Sequence, residues 1–185
     1  TIPVTPVNTS VSLKLRLHCL GPAGDSANPG SGRNPNPLHP QRNAVVEIYN
    51  SQNTLVLTKD GLVTFDSGTG EFRGRIDLGS VLTTGSYIVK VKTNQFLRTL
   101  VPGIQNITAG QSNQLSTTTM VNGDINSDNT LNILDYNILM GCYSDFLPAT
   151  SCTAANKLQA DIDDDGDVNQ FDYNLFLREL ANRQG

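Results

Sequence analysis

Twelve oxygen-bearing residues near the end of the chain are spaced to hold a metal ion. Asp124, Asn126, Asp128, Thr130, Asn132 and Asp135 stand at positions 1, 3, 5, 7, 9 and 12 of one stretch, and Asp161, Asp163, Asp165, Asp167, Asn169 and Asp172 repeat that spacing in a second. A tight loop sends alternate side chains inward, so each stretch gathers its oxygens around one point. A hard divalent cation takes roughly six to eight oxygens, whereas transition metals favour nitrogen or sulfur, so calcium suits these loops best. For a single acidic run, a solvated loop would be an adequate account. Repetition argues otherwise: residues 124–140 aligned on 161–177 share seven identities in seventeen, concentrated on the oxygen-bearing positions. Gly166 and Asn129 occupy position 6, where such a loop turns sharply with positive φ. The first loop carries fewer carboxylates and is expected to bind more weakly.

The spacing is the ligand rhythm of the EF-hand calcium loop, with Asp in place of Glu at position 12. Each loop runs directly into an apolar helix-forming stretch, Ile133 to Met140 and Gln170 to Leu180. On these features residues 121–185 resemble a dockerin domain. The resemblance implies a calcium-dependent plug, with two Ca2+, that docks onto cohesins, β-sandwich receptors, through the helices after the loops. It also places recognition at positions 10 and 11, here Ile133 and Leu134 in one repeat and Gln170 and Phe171 in the other. Many dockerins carry hydroxyl residues there in a nearly symmetric arrangement; these pairs are mostly apolar and unequal. Between the helices, Leu134, Ile138, Leu139, Leu175, Phe176 and Leu180 are expected to pack.

Charge divides the chain into two parts. Residues 1–120 hold ten Lys and Arg against six Asp and Glu, a net of +4, while residues 121–185 hold three against eleven, a net of −8. Two calcium ions would cancel about half of the second figure. No basic stripe or aromatic platform suited to nucleic acid is present, with aromatics at 6%. No apolar run approaches the roughly 18 residues of a membrane span, and no leader-like segment opens the sequence, which reads as a mature form.

The part before the loops reads as a β-domain. Thr1 to Ser10, with Pro3 and Pro6, suggests an extended arm. Val11, Leu13, Leu15, Leu17 and Cys19 alternate with polar residues, the signature of a half-buried strand that puts His18 on the polar side. Residues 21–44 are rich in Gly, Pro, Asn and Ser; a loop of that length and composition orders only by docking on another domain or subunit. Strands are expected at Ala44 to Tyr49, Thr54 to Leu57, Leu62 to Phe65, Glu71 to Asp77, Tyr87 to Lys92, Phe96 to Val101, Ile104 to Thr108 and Asn113 to Thr118, with turns at Asp60-Gly61 and Ser67 to Gly70. This cadence predicts an all-β antiparallel sandwich over 11–118, followed by a small α domain with paired calcium loops over 119–185. The run from Gly85 to Val91, followed by Phe96-Leu97 and Ile107 to Gly110, is similar to prealbumin-like and carboxypeptidase-regulatory-like sandwiches, which implies a non-catalytic module.

Nothing in the β-domain is spaced for catalysis. His18 and His39 have no triad or zinc partners in sequence and read as surface residues, while Asp66, Glu71 and Asp77 read as solvated strand ends. Three cysteines suggest an oxidising compartment: Cys142 and Cys152 are spaced for a disulfide, leaving Cys19 as a buried free thiol or an intermolecular bridge. Asn8 and Asn106 begin candidate glycosylation sequons. The sequence therefore predicts a secreted or cell-surface, non-enzymatic assembly protein. Its partner is either a cohesin-like sandwich or the next copy of itself in a head-to-tail filament. An accessory or carbohydrate-binding module of a polysaccharide-degrading complex is the competing reading, although no Trp or aromatic cluster for sugar stacking is present.

Overall fold

Strand β1 (Thr9–Leu17) is the axis of the N-terminal half, and its alternation buries Val11, Leu13, Leu15 and Leu17 on one face. The computed structural model describes residues 7–22, 34–145 and 149–182. Residues 1–6 of the expected arm, 23–33 of the long loop, 146–148 and 183–185 lie outside the described residues; Thr9 and Ser10 already belong to β1 and are buried.

Ten further strands follow: β2 (Gln41–Tyr49), β3 (Leu55–Asp66), β4 (Glu71–Gly79), β5 (Gly85–Thr93), β6 (Gln95–Phe96), β7 (Thr99–Leu100), β8 (Gln105–Ile107), β9 (Ser112–Gln114), β10 (Thr118–Met120) and β11 (Asn122–Asp124). Nine form one mixed sheet in the order β10-β1-β4-β3-β2-β5-β7, with β8 added on β5 and β9 on β1. The sheet curves into a half-barrel around Val46, Ile48, Phe72, Ile76, Val89, Val91, Phe96 and Met120.

This corrects the expected antiparallel sandwich in two respects. First, β9 and β10 both run parallel to β1, because the chain after β8 returns alongside β1 in its own direction. Second, β3 is one twelve-residue strand, not two strands turning at Asp60-Gly61. It pairs with β2 along most of its length and with β4 at its end, joining what would have been separate sheets. Gly61 serves a close approach: a Cβ there would lie 2.7 Å from Ile76 Cδ1. The turn at Ser67 to Gly70 is present, closed by Asp66, which accepts from Gly68 N and Thr69 Oγ1.

Among the described residues three helices follow β11: α1 (Ile133–Cys142), α2 (Ala154–Ala160) and α3 (Gln170–Asn182). Asn132 caps α1 in a capping box with Asp135, and Thr153 caps α2. A second core unites Ile125, Leu131, Leu139, Ile162, Val168, Leu175 and Phe176 with Cys19 from the β-half. Leu139, Leu175 and Phe176 are buried and Ile138 packs against them, as the sequence suggested, but Leu134 and Leu180 are exposed at 54% and 39%. Tyr136 meets Tyr173 and Phe176 at ring separations of 6.4 and 6.2 Å, joining the two repeats. Cys142 and Cys152 form the expected disulfide. The chain passes from β10 to β11 through Val121 alone, and β10 crosses the boundary expected at residue 118.

Candidate metal centre

The two loops close by the same internal hydrogen bonds. Position 12 staples each loop shut: Asp135 Oδ1 accepts from Ile125 N and Asn126 N at 2.8 and 3.1 Å, and Asp172 Oδ1 accepts from Ile162 N and Asp163 N at 2.6 and 3.3 Å. Their Oδ2 atoms accept from Asn132 N and Asn169 N, both at position 9. Position 1 binds the turn, with Asp124 accepting from Asn129 N and Asp161 from Asp165 N and Gly166 N. Position 6 has positive φ in both loops, 65° at Asn129 and 101° at Gly166. Position 4 does too, at Ser127 and Asp164, which the sequence pattern did not flag. Positions 2 and 8 (Ile125, Leu131, Ile162, Val168) turn into the shared core, which explains why both repeats keep them apolar.

Only in the second loop do the carboxylates converge. Asp161, Asp163 and Asp165 each place an oxygen within 4.8 Å of the others, the one such acidic group found among the described residues. Desolvation, with the crowding of neighbouring carboxylates, pushes Asp163 up to about 8; desolvation likewise pushes Asp172 to about 7 and Asp161 to about 6. Asp163 Oδ1 is buried without a hydrogen-bond partner. An orphaned buried acceptor among crowded carboxylates is the environment a divalent cation relieves, so these residues fit calcium. The first loop offers Asp124, Asn126, Asp128, Thr130, Asn132 and Asp135, but Asn126 Nδ2 turns to Asp128 Oδ2 at 2.9 Å and Lys92 Nζ contacts Asp124 Oδ2.

Residues 122–181 match the family model of the dockerin type I domain. The match covers about a third of the chain and leaves the β-half outside it. No curated protein matches the chain. Dockerin type I domains bind calcium. Within this dockerin region the four residues singled out for recognition all face outward: Ile133, Leu134 and Phe171 are 63%, 54% and 59% exposed, and Gln170 is also exposed. Leu131, Asn132, Ile133, Tyr136, Leu177 and Leu180 line an apolar groove between α1 and α3.

Sequence reasoning missed how the β-half grips the dockerin region. Asp164, at the non-ligand position 4, is buried; Arg42 and His39 hold its carboxylate at 3.1 and 2.5 Å, and His39 N adds a bond at 2.8 Å. Burial lowers the Arg42 pKa, and the adjacent Asp164 charge works against that shift. Asn34 Nδ2 donates to the carbonyls of Asp163 and Asp164, and Leu38 N to that of Asp164. The described end of the long loop therefore does dock, through Asn34, Leu38 and His39, on this chain's own second acidic loop. Gln95 Nε2 donates to the carbonyls of Leu158, Gln159 and Asp161, at the end of α2 where helical acceptors lack partners.

His18 is not the surface residue expected from its place on the polar side of β1. It is buried, with Nδ1 2.6 Å from Glu179 Oε2 on α3, because the face of β1 turned from the β-core is covered at that point by the dockerin region. Cys19 is a buried thiol outside the disulfide, in contact with Glu179 and Arg178. Hydrogen bonds from Thr69 and Gly68 hold Asp66 below the ordinary carboxylate range, and those from Gly79 and Asn8 do the same for Asp77, while Glu71 pairs with Arg16 and Arg73. Asn106, in the second sequon, accepts from Ser86.

Proposed function

We propose that this chain is a non-enzymatic, extracellular assembly protein whose calcium-loaded dockerin region plugs into a cohesin-type receptor, as in cellulosome-type complexes. The observation that carries this reading is the apolar surface left open beside closed calcium loops. Ile133 and Leu134 follow the first loop, Phe171 follows the second, and the groove at Leu177 and Leu180 lies between their helices. A large apolar side chain gains roughly 1.5–3 kcal/mol on full burial, so such a cluster is suited to a partner. Two calcium ions are assigned, one per loop, with the oxygens of positions 1, 3, 5, 7, 9 and 12 as the donor set. Bound calcium neutralises the clustered carboxylates, and the closed loops fix the direction in which positions 10 and 11 point.

Dockerin proteins are typically extracellular or cell-surface, in keeping with the disulfide, and no helix among the described residues is long and apolar enough to cross a membrane. No observation favours the filament or the carbohydrate-binding reading. The test is surface-immobilised binding to a panel of purified cohesin domains in calcium, beside sedimentation velocity of the protein alone. Leu134→Asp and Phe171→Asp should each weaken cohesin binding at least about tenfold, or about 1.4 kcal/mol, while the melting temperature is retained. Calcium-dependent self-association without cohesin binding would replace this reading with the head-to-tail one.

A further inference from the structure

The β-half sets a cation on a ligand-position carboxylate of one loop and not of the other. Lys92, on β5, directs its ammonium onto Asp124 Oδ2, the position-1 carboxylate of the first loop, and donates also to Phe96 O at 2.5 Å. Asp124 is wholly buried and the Lys92 side chain is only 17% exposed. At the equivalent position of the second loop, Asp161 accepts from Asp165 N and Gly166 N, and the nearby guanidinium of Arg42 is paired with Asp164, which is not a ligand position. We propose that Lys92 is a tethered competitor for calcium at the first loop. This rests on the assignment of calcium to both loops.

The physical argument is short. If the ammonium stays in place, an arriving calcium ion meets a like charge across one carboxylate group in a buried setting where screening is weak. If it moves, it gives up Asp124 and Phe96 and has little solvent to accept it. At the second loop Arg42 holds Asp164 and has no ligand carboxylate to give up when calcium enters. The ammonium also supplies the first loop with positive charge when calcium is scarce, so that loop can remain closed while the second awaits its ion. Because Phe96 lies on β6, which pairs with β11 at the entrance of the first loop, filling that loop displaces a contact belonging to the β-half. The two sites fill in order, the second before the first.

Calcium titration calorimetry on the chelator-treated full chain tests this. The wild-type protein should show two sites at least about tenfold apart in affinity, and Asp128→Ala should abolish the weaker one. Lys92→Met should tighten the weaker site by about tenfold and leave the stronger unchanged, while Lys92→Arg should preserve the gap. A Lys92→Met chain that folds only with calcium would also support the assignment, since the ion then replaces the missing charge; failure to fold in calcium would overturn it. Two wild-type sites of equal affinity, or a weaker site that Lys92→Met fails to tighten, would overturn this inference alone. A chain that takes up no calcium would overturn both it and the calcium reading beneath it.

Discussion

The two calcium loops are near copies in sequence and in internal hydrogen bonding, yet the rest of the molecule treats them in opposite ways. The second is held by its spare carboxylate: Arg42 and His39 grip Asp164, leaving Asp161, Asp163 and Asp165 free to converge. The first is held by Asp124, a carboxylate at a proposed ligand position, and its position 4 is a serine with no comparable grip among the described residues. Repetition thus fixes how a loop closes, while the surface it rests on determines which oxygens remain for an ion.

Removing metal should have the largest effect, and should divide unevenly. A site holding calcium at a thousandfold over its dissociation constant contributes about 4 kcal/mol of stability, so chelation should lower the melting temperature sharply. Differential scanning calorimetry of Asp163→Ala should reproduce most of that loss in calcium, and Asp128→Ala only a minor part. Equal losses would erase the asymmetry between the loops.

The grip on the second loop can be cut directly. Arg42→Met strands the buried Asp164 carboxylate with His39 as its remaining side-chain partner, and breaking such a pair costs about 3–5 kcal/mol. Arg98, whose backbone N donates to Asn129 Oδ1 of the first loop, has its side chain on Glu47 and is 41% exposed, so Arg98→Met should cost under about 1 kcal/mol. Urea denaturation of the two variants side by side measures the difference, and similar costs would show that Arg42 is no anchor.

A smaller effect is expected from the disulfide, which joins the end of α1 to the start of α2 and so belongs to the connector between the repeats. Closing a loop of ten residues should stabilise by about 2–3 kcal/mol on the chain-entropy account. The double replacement Cys142→Ser with Cys152→Ser should lower the melting temperature accordingly while leaving calcium stoichiometry unchanged. Non-reducing peptide mapping of the wild-type chain should find Cys19 unlinked.

Much of the dockerin region was readable because its rules are local. Ligand spacing, the turn at position 6 and the Cys142–Cys152 pairing each involve residues close in sequence. In the β-half β1, β2, β4 and β5 were readable as strands, but the continuous β3, the breaks between β6 and β7 and between β9 and β10, and the topology were not. Nothing in the sequence of β9 and β10 announces that they pair parallel to β1, and Asp60-Gly61 carries a turn signal that the neighbouring strands override. Least legible were the contacts between the halves. His18 sits on the polar side of its strand by pattern, and only a partner 161 residues away makes that side buried. Arg42, Gln95 and Lys92 were unremarked for the same reason, since each finds its partner far along the chain.

The single-residue passage from β10 to β11 has a mechanical consequence. A tension applied to the docked helices leaves the dockerin region along β11 and β10, with no slack segment to absorb it. β10 lies parallel to β1, with Leu15, Arg16 and Leu17 beside Thr118, Thr119 and Met120. A pull toward the plug, resisted at the beginning of β1, therefore slides these strands lengthwise and loads their hydrogen bonds together instead of opening them one at a time. His18 and Cys19 then carry the same load directly onto α3 through Glu179. The β-half and its plug are braced against one another as a single strut, so a receptor that captures the helices also fixes the direction in which the half-barrel points.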